Sequence, residues 1–378
     1  MSLESALGSL PPAHRQPIPP PAPSAAHGTA PAVHNAADTL RSAASLWALE
    51  QLFGDRHAVL ELVSRYRTWF ELASAPLSAV ARTTGHHPVT IPPVRPAVPK
   101  LPTGCRMVGM FDAGFPLSSD TLAPTTLAQD DPHKPAGSAY VGPLVVYVFG
   151  RLPKRPGVAV IGGRHPSAEG HRVARRSAEL ALDEGAVPIC IVTSGCGDAA
   201  LDATVVRGGQ AVAVIPSGAD RFDATNRRLI DQIVTGRGAV ISVSPPGSVS
   251  TDARLREASV TAVTLARAVV LADTGVTLDA SSSGVATAFE TGRYVIAMQR
   301  DDARLVGIES LGSLALTRTD GTGVFGHIPH VARRLAQGRP PADAVVSDGV
   351  ELEQAIAFGC GRSTIAPPDP DADGWQLF

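Results

Sequence analysis

The chain has no excess of either charge. Its 33 basic and 35 acidic side chains over 378 residues leave a net charge of −2 at pH 7, with a pI near 6.6. That excludes a protein coated all over with positive charge, so any contact with nucleic acid must come from a local patch. Cysteine is scarce as well. Cys105, Cys190, Cys196 and Cys360 stand far apart with no C-x-x-C pair, so neither a zinc site nor a disulfide framework is indicated and no metal is expected. Such thiols suit a reducing cytoplasm. No stretch approaches the roughly 20 apolar residues of a membrane span, and prolines occupy the first 30 residues where a signal peptide would need an apolar core. The expectation is a cytoplasmic protein without a membrane partner.

Hydrophobic content of 44% supports a real core, and the length allows about two domains. Residues 1–37, rich in Pro and Ala, hold too few large apolar side chains to offset the entropy of ordering and are expected to form a disordered arm. Residues 38–87 carry helical periodicity, with Gly54 and Asp55 placed as a stop and a new N-cap, and predict a small helical domain. Trp47, Leu49, Leu52, Phe53, Leu60, Leu62, Val63, Tyr66 and Phe70 are its expected core rather than a base-stacking surface. A Pro-rich linker, 88–104, follows.

From 105 to 300, continuous apolar runs such as GVAVIGG, VPICIVTSG and RAVVLAD alternate with helical patterns of about 10 to 15 residues. This is the pattern of an α/β protein with a Rossmann-like, doubly wound, mostly parallel sheet. Residues 301–365 extend it with one strand-like and one helix-like piece, and 366–378 form a tail. Right-handed crossovers place the strand-to-helix loops at one edge of such a sheet.

Four of those loops carry chemistry. In GVAVIGGRHPSAEGH, 157–171, an apolar strand turns at Gly162, Gly163 and Arg164 into a helix start, where backbone N–H groups and a positive dipole end suit a phosphate. It has neither the full G-x-G-x-x-G nor a G-K-[ST]. In SGCGDAALD, 194–202, Ser194, Gly195 and Gly197 make a turn, and Asp198 either caps the next helix or faces the site. The third loop, 217–229, presents Gly218, Asp220, Asn226, Arg227 and Arg228. In the fourth, Ser281, Ser282, Ser283 and Gly284 precede a helix with Thr287 and Glu290. The basic run 151–176 has Arg151, Lys154, Arg155, Arg164, Arg172, Arg175 and Arg176 against Glu169 alone. It is either the local patch or a solvated helix face.

The order of motifs resembles the DprA/Smf family of DNA-processing proteins. Asp112 to Phe115 with Pro116, PLVVYVFG at 143–150, GGR at 162–164, SGCGDAALD, GADRFDATNRRL at 218–229 and SVSPPG at 242–247 follow the family's sequence of motifs. The resemblance implies a small helical domain ahead of a Rossmann-like domain that binds single-stranded DNA in a basic pocket. It also implies protection of incoming strands in natural transformation, loading of a RecA-type recombinase, a homodimer, no cofactor and no chemical step. It implies phosphate-contact roles for Gly162, Gly163, Arg164, Ser194, Gly195, Asp198 and Asn226, to which the basic run adds Arg175. The family's R-N-R falls at Ala258, Ser259 and Val260 here, so fewer counterions would be released and DNA binding should be weaker than in a typical member.

A nucleotide-hydrolysing alternative exists. Residues 283–290, SGVATAFE, resemble the G-G-x-G-T-x-x-E of the related phosphoribohydrolases at Gly284, Thr287 and Glu290. Glu290 would then act on the ribose or as general base and Arg164 would hold the phosphate, with an ordinary helix-surface role for Glu290 as the third possibility.

Overall fold

The computed structural model describes residues 39–85, 90–116, 142–221, 224–273, 280–299 and 328–363. The expected arm, the tail and the first part of the 301–365 extension lie outside the described residues.

Local signals set the first helices. Ser42 caps α1 (Ala43–Phe53) by accepting from the Ser45 N–H, and Gly54 ends it in the left-handed conformation. Asp55 then caps α2 (Arg56–Arg65), Thr68 caps α3 (Trp69–Ala73), and Gly85 closes α4 (Leu77–Thr84). These helices do not enclose a core of their own. Leu46, Leu49, Leu62 and Leu72 pack in one cluster with Leu144, Val145 and Tyr147 of the sheet's antiparallel side. Phe70 departs from its expected place and is 72% exposed. In the single turn of α3, Trp69 and Leu72 take the inward positions, so the residue between them faces away.

The sheet has nine strands among the described residues, in the order β1-β2-β6-β5-β4-β3-β7-β8-β9. They are β1 (Cys105–Gly109), β2 (Val145–Gly150), β3 (Gly157–Gly162), β4 (Val187–Ile191), β5 (Val212–Gly218), β6 (Ala239–Ser244), β7 (Ala268–Asp273), β8 (Tyr294–Met298) and β9 (Ala344–Val346). From β3 onward every pairing is parallel, while β2 pairs antiparallel with β6 and β1 antiparallel with β2. The apolar runs of the sequence, GVAVIGG, VPICIVTSG and RAVVLAD among them, become strands, and β1 is an edge strand that the sequence pattern did not signal.

Helices cover both faces, which is why the central strands are continuously apolar. α5 (Ala168–Asp183), α6 (Cys196–Val206), α7 (Ala224–Thr235) and the last helix, α11 (Gly349–Gly359), bury one face around Val173, Leu180, Leu201, Ile233 and Ile356. α8 (Asp252–Thr264), α9 (Ala280–Glu290) and α10 (Pro329–Ala336) bury the other around Leu255, Val263, Phe289 and Val331. The chain moves outward from β3 to β6 and returns across the sheet to β7 on the other side of β3. The topological switch point therefore lies between β3 and β7, where doubly wound proteins open a crevice.

One ionic junction joins the helical segment to this sheet. The Arg56 guanidinium donates to Glu50 at 2.7 Å through Nε and pairs through Nη2 with Glu257 of α8. Removing the shared cation leaves two poorly solvated carboxylates, so Arg56→Ala should lower stability by about 3 kcal/mol in urea denaturation. Burial raises the Glu50 carboxyl above its ordinary 4.5, against the pull of Arg56. A carboxyl raised on folding stabilises most below its unfolded pKa, and that contribution is lost as pH climbs through the folded value. The urea midpoint of Glu50→Gln, relative to the unsubstituted chain, should thus improve as pH rises from 4.5 to about 7. Movement in the other direction would mean that Arg56 outweighs burial.

Candidate functional site

The crevice is built around Asp273, the last residue of β7, which is 1% exposed. Its carboxylate Oδ2 accepts from the Ser167 backbone N–H at 2.8 Å and from the Ser167 hydroxyl at 2.7 Å. The same hydroxyl caps α5 by accepting from the Gly170 N–H at 3.0 Å. The Asp273 carbonyl accepts from the Gly163 N–H at 2.7 Å. One residue of β7 thus holds the β3–α5 loop at both ends. Glycine is required at 170 for this, because a Cβ there would sit 2.5 Å from Asp273 Oδ2.

This arrangement bears on one expectation. Three donors of the β3–α5 turn expected to face a phosphate are engaged within the protein, the Gly163 and Ser167 N–H groups by Asp273 and the Gly170 N–H by the Ser167 hydroxyl. The glycines of the loop serve close packing as well. A side chain at Gly162 would run into the Cys196 thiol, and one at Gly195 into the Gly163 carbonyl. Gly195 also has φ +130°, a conformation that favours glycine. The Cys196 N–H donates to Gly163 at 3.3 Å, so the first two loops form one locked unit.

What this unit presents outward is Arg164. Its side chain is 56% exposed and lies 4.0 Å from the Asp252 carboxylate at the start of α8, itself 79% exposed. So exposed a pair holds its cation weakly. Ser194 is exposed beside it. Asp198 stands in the first turn of α6 and does not cap it, since the N-cap is Gly195. In the third loop Asp220 serves the loop itself. Its carboxylate accepts from the Gly247 N–H at 2.6 Å, while Gly218 donates to Ser248 at 2.8 Å, tying the ends of β5 and β6 together. Asn226 lies in the first turn of α7, and its side chain is outside what the structure describes. Arg227 and Arg228 line a cleft of about 520 Å³ with Val205 and Asp231, on the outer face between α6 and α7 and not among the strand-end loops.

The structure divides the basic run of the sequence. Arg151, Lys154 and Arg155 are exposed on the β2–β3 connection, at the N-terminal edge of the parallel strands. Arg164 is at the C-terminal edge, about 20 Å away along six residues of β3. Arg175 lies on the outward face of α5 and pairs with Asp202 of α6 at 3.0 Å. Arg172 and Arg176 pair with Glu169 and Glu179 one turn away.

The fourth loop also differs from expectation. α9 already begins at Ala280, so Ser283 and Gly284 are helical, and Ser283 and Thr287 are buried. Gly284 packs against Ser259 of α8, which leaves no space for a side chain. Glu290 ends the helix, roughly 16 Å along its axis from the start. Glu290 and Arg164 consequently stand at opposite edges of the sheet, and the two residues of the hydrolase alternative do not meet. Ala258, Ser259 and Val260, where the R-N-R would fall, are buried on α8. The cations missed in the sequence are Arg254 and Arg256 at the start of that helix. Arg254 donates to the Val249 carbonyl at 2.7 Å and Arg256 is exposed.

Sheet order, covering helices and the crevice at the β3/β7 switch point define a doubly wound, Rossmann-like protein. The model of the DNA recombination-mediator protein A family matches residues 126–318, just over half of the chain, and the chain belongs to that family of DNA-processing proteins. Protein Smf of Synechocystis sp. is 30% identical over 134 residues, a third of this chain and a third of the length of that relative. The crystal structure of DNA processing protein A from Streptococcus pneumoniae matches with a TM-score of 0.55 at 18% identity, over 84% of this chain and 97% of that one, and shows the shared fold. DNA processing protein A from Helicobacter pylori, described for its single-stranded DNA binding mode, matches 46% of this chain and 78% of its own at 17% identity, with a TM-score of 0.39.

Gly170→Ala should lower stability by about 1–3 kcal/mol in urea denaturation by forcing Asp273 off Ser167. An unchanged midpoint would mean that the crevice tolerates a displaced Asp273.

Proposed function

We propose that this chain binds single-stranded DNA by its phosphates along the C-terminal edge of the sheet, in the cytoplasm and as a homodimer. In this reading it protects incoming strands in natural transformation and helps load a RecA-type recombinase. The single observation that supports it is the state of Arg164: an exposed guanidinium at the switch point, on a loop fixed at both ends, with only a loose carboxylate partner at 4.0 Å. A phosphate can replace that carboxylate and gain a charge-assisted, two-pronged hydrogen bond. Family membership supplies the DNA. Gly162, Gly163 and Gly195 would keep the backbone low beneath the strand, Ser194 would donate to a neighbouring phosphate, and Arg256 would extend the basic surface along α8. Asn226 and Asp198 remain candidates for the flanks of the same edge, whereas Arg175 would first have to leave Asp202.

Asp252 opposes the strand. Its negative charge at the mouth of the crevice lowers affinity as long as it neighbours Arg164, which accords with the weaker binding expected from the missing R-N-R.

The test is fluorescence anisotropy of labelled oligo-dT at low and moderate salt. Binding should weaken steeply with salt, and Arg164→Ala should reduce the slope of log K against log salt by about 0.7, the value of one single-strand phosphate contact. Asp252→Asn should tighten binding at low salt. No binding at low salt, or an Arg164→Ala protein that binds as before, would overturn the assignment.

A further inference from the structure

The opposite edge of the sheet holds a second cationic feature that the DNA-binding reading does not use. Three arginines come together there from three separate turns: Arg267 ahead of β7, Arg293 ahead of β8 and Arg362 after α11. The Arg267 guanidinium lies against Gly361, and that of Arg362 against Gly185. A cleft of about 340 Å³ is lined by Arg267, Arg293, Tyr294, Phe358 and adjoining glycines, and Arg362 stands just outside that lining. Tyr294 and Phe358 form an apolar wall, their rings 5.1 Å apart and tilted by 56°.

The charges there are unbalanced. Arg207, which ends α6, and Arg334, in the last turn of α10, are neutralised by Asp183 and Asp343. Arg267, Arg293 and Arg362 take part in no ion pair among the described residues. Arg293 donates from Nη2 to the Thr264 carbonyl at 3.0 Å, but its Nε is buried without an acceptor. Burial, and next the charge of Arg267, push the Arg293 guanidinium below the ordinary arginine range. The carboxylates facing this corner are few. Glu184 acts on Cys360 together with Arg362 and Arg267, Asp343 acts on Tyr294 while engaged with Arg334, and Glu290 ends α9 just ahead of the Arg293 turn. Two like charges beside one cleft, the half-buried Arg293 with an unmet donor and the exposed Arg267, destabilise the empty protein, and an anion seated between them removes that cost.

We infer that Arg267 and Arg293, with Arg362 on the adjoining turn adding positive charge, form an anion-binding pocket at the N-terminal edge of the sheet, which takes the phosphate of a nucleotide with its apolar part against Tyr294 and Phe358. The guanidinium fork suits a phosphate in particular. The cleft is of the size that holds small ligands, about 300–1,000 Å³. The phosphate can come from a free nucleotide or from a DNA strand running past this edge.

Calorimetric titration of the full chain separates these cases, with dTMP, thymidine and (dT)8 as probes. The double variant Arg267→Gln/Arg362→Gln spares Arg293, whose Thr264 bond is structural, and an unchanged thermal midpoint verifies that it folds. dTMP should bind and thymidine should not. The double variant should weaken dTMP by about tenfold or more, while Arg164→Ala should leave it unchanged. Loss of (dT)8 binding in the double variant alongside dTMP identifies a strand as the source, and loss of dTMP alone identifies a free nucleotide. Absence of dTMP binding, equal binding in the double variant, or loss in Arg164→Ala instead would overturn the proposal. Because the two edges are read by different substitutions, failure of the Arg164 crevice to bind DNA leaves this test intact.

Discussion

The crevice depends on one buried carboxylate. Asp273 holds the β3–α5 loop by a main-chain bond to Gly163 and two bonds to Ser167, and Ser167 in turn caps α5. Charge-assisted bonds of this kind are stronger than neutral ones, and at 1% exposure water does not compete for them. Everything outward follows: Gly163 is fixed, so its carbonyl meets the start of α6, and Arg164 leaves the loop in one direction. At the start of α5, then, a buried carboxylate and the cap it positions are used for folding.

The two edges of the sheet divide the labour of charge. Along the C-terminal edge Arg164 faces an acidic neighbour, with Arg256 exposed further along α8, whereas the N-terminal edge gathers Arg151, Lys154 and Arg155 on the connection into β3 and, beside it, Arg267, whose N–H bonds to Gly157. A chain of nearly zero net charge can therefore hold separate regions of positive potential, since it is distribution, not total, that a nearby phosphate senses.

Much of this is legible in the sequence. Continuous apolar runs mark β2 to β8 because strands covered on both faces cannot alternate, and Gly54 with Asp55 marks a helix stop and start because each supplies a conformation or an acceptor that few residues can. The outward turn of Phe70 is not legible, since in a one-turn helix a single residue's offset reverses its face. Nor is the start of α9: serines favour caps in isolation, yet Ser283 and Thr287 are buried against α8, where packing overrides propensity. The site is legible only as a set of loops. Asp273 is visible as the end of RAVVLAD but without a role, because its partners Ser167 and Gly170 lie about a hundred residues earlier and only the β3–β7 pairing brings them together. The split of the basic run is hidden for the same reason, as adjacency in sequence says nothing about which end of a strand a residue occupies.

The junction at Arg56 has a mechanical side. Glu257, which it grips, sits five residues along α8 from Asp252, the neighbour of Arg164, and five residues of α-helix span about 7.5 Å of stiff rod. The rod is buried against α9 and the sheet, so it transmits a push at one end more readily than it bends. The N-terminal helices thus hold one end of a lever whose other end carries the counter-ion at the mouth of the crevice.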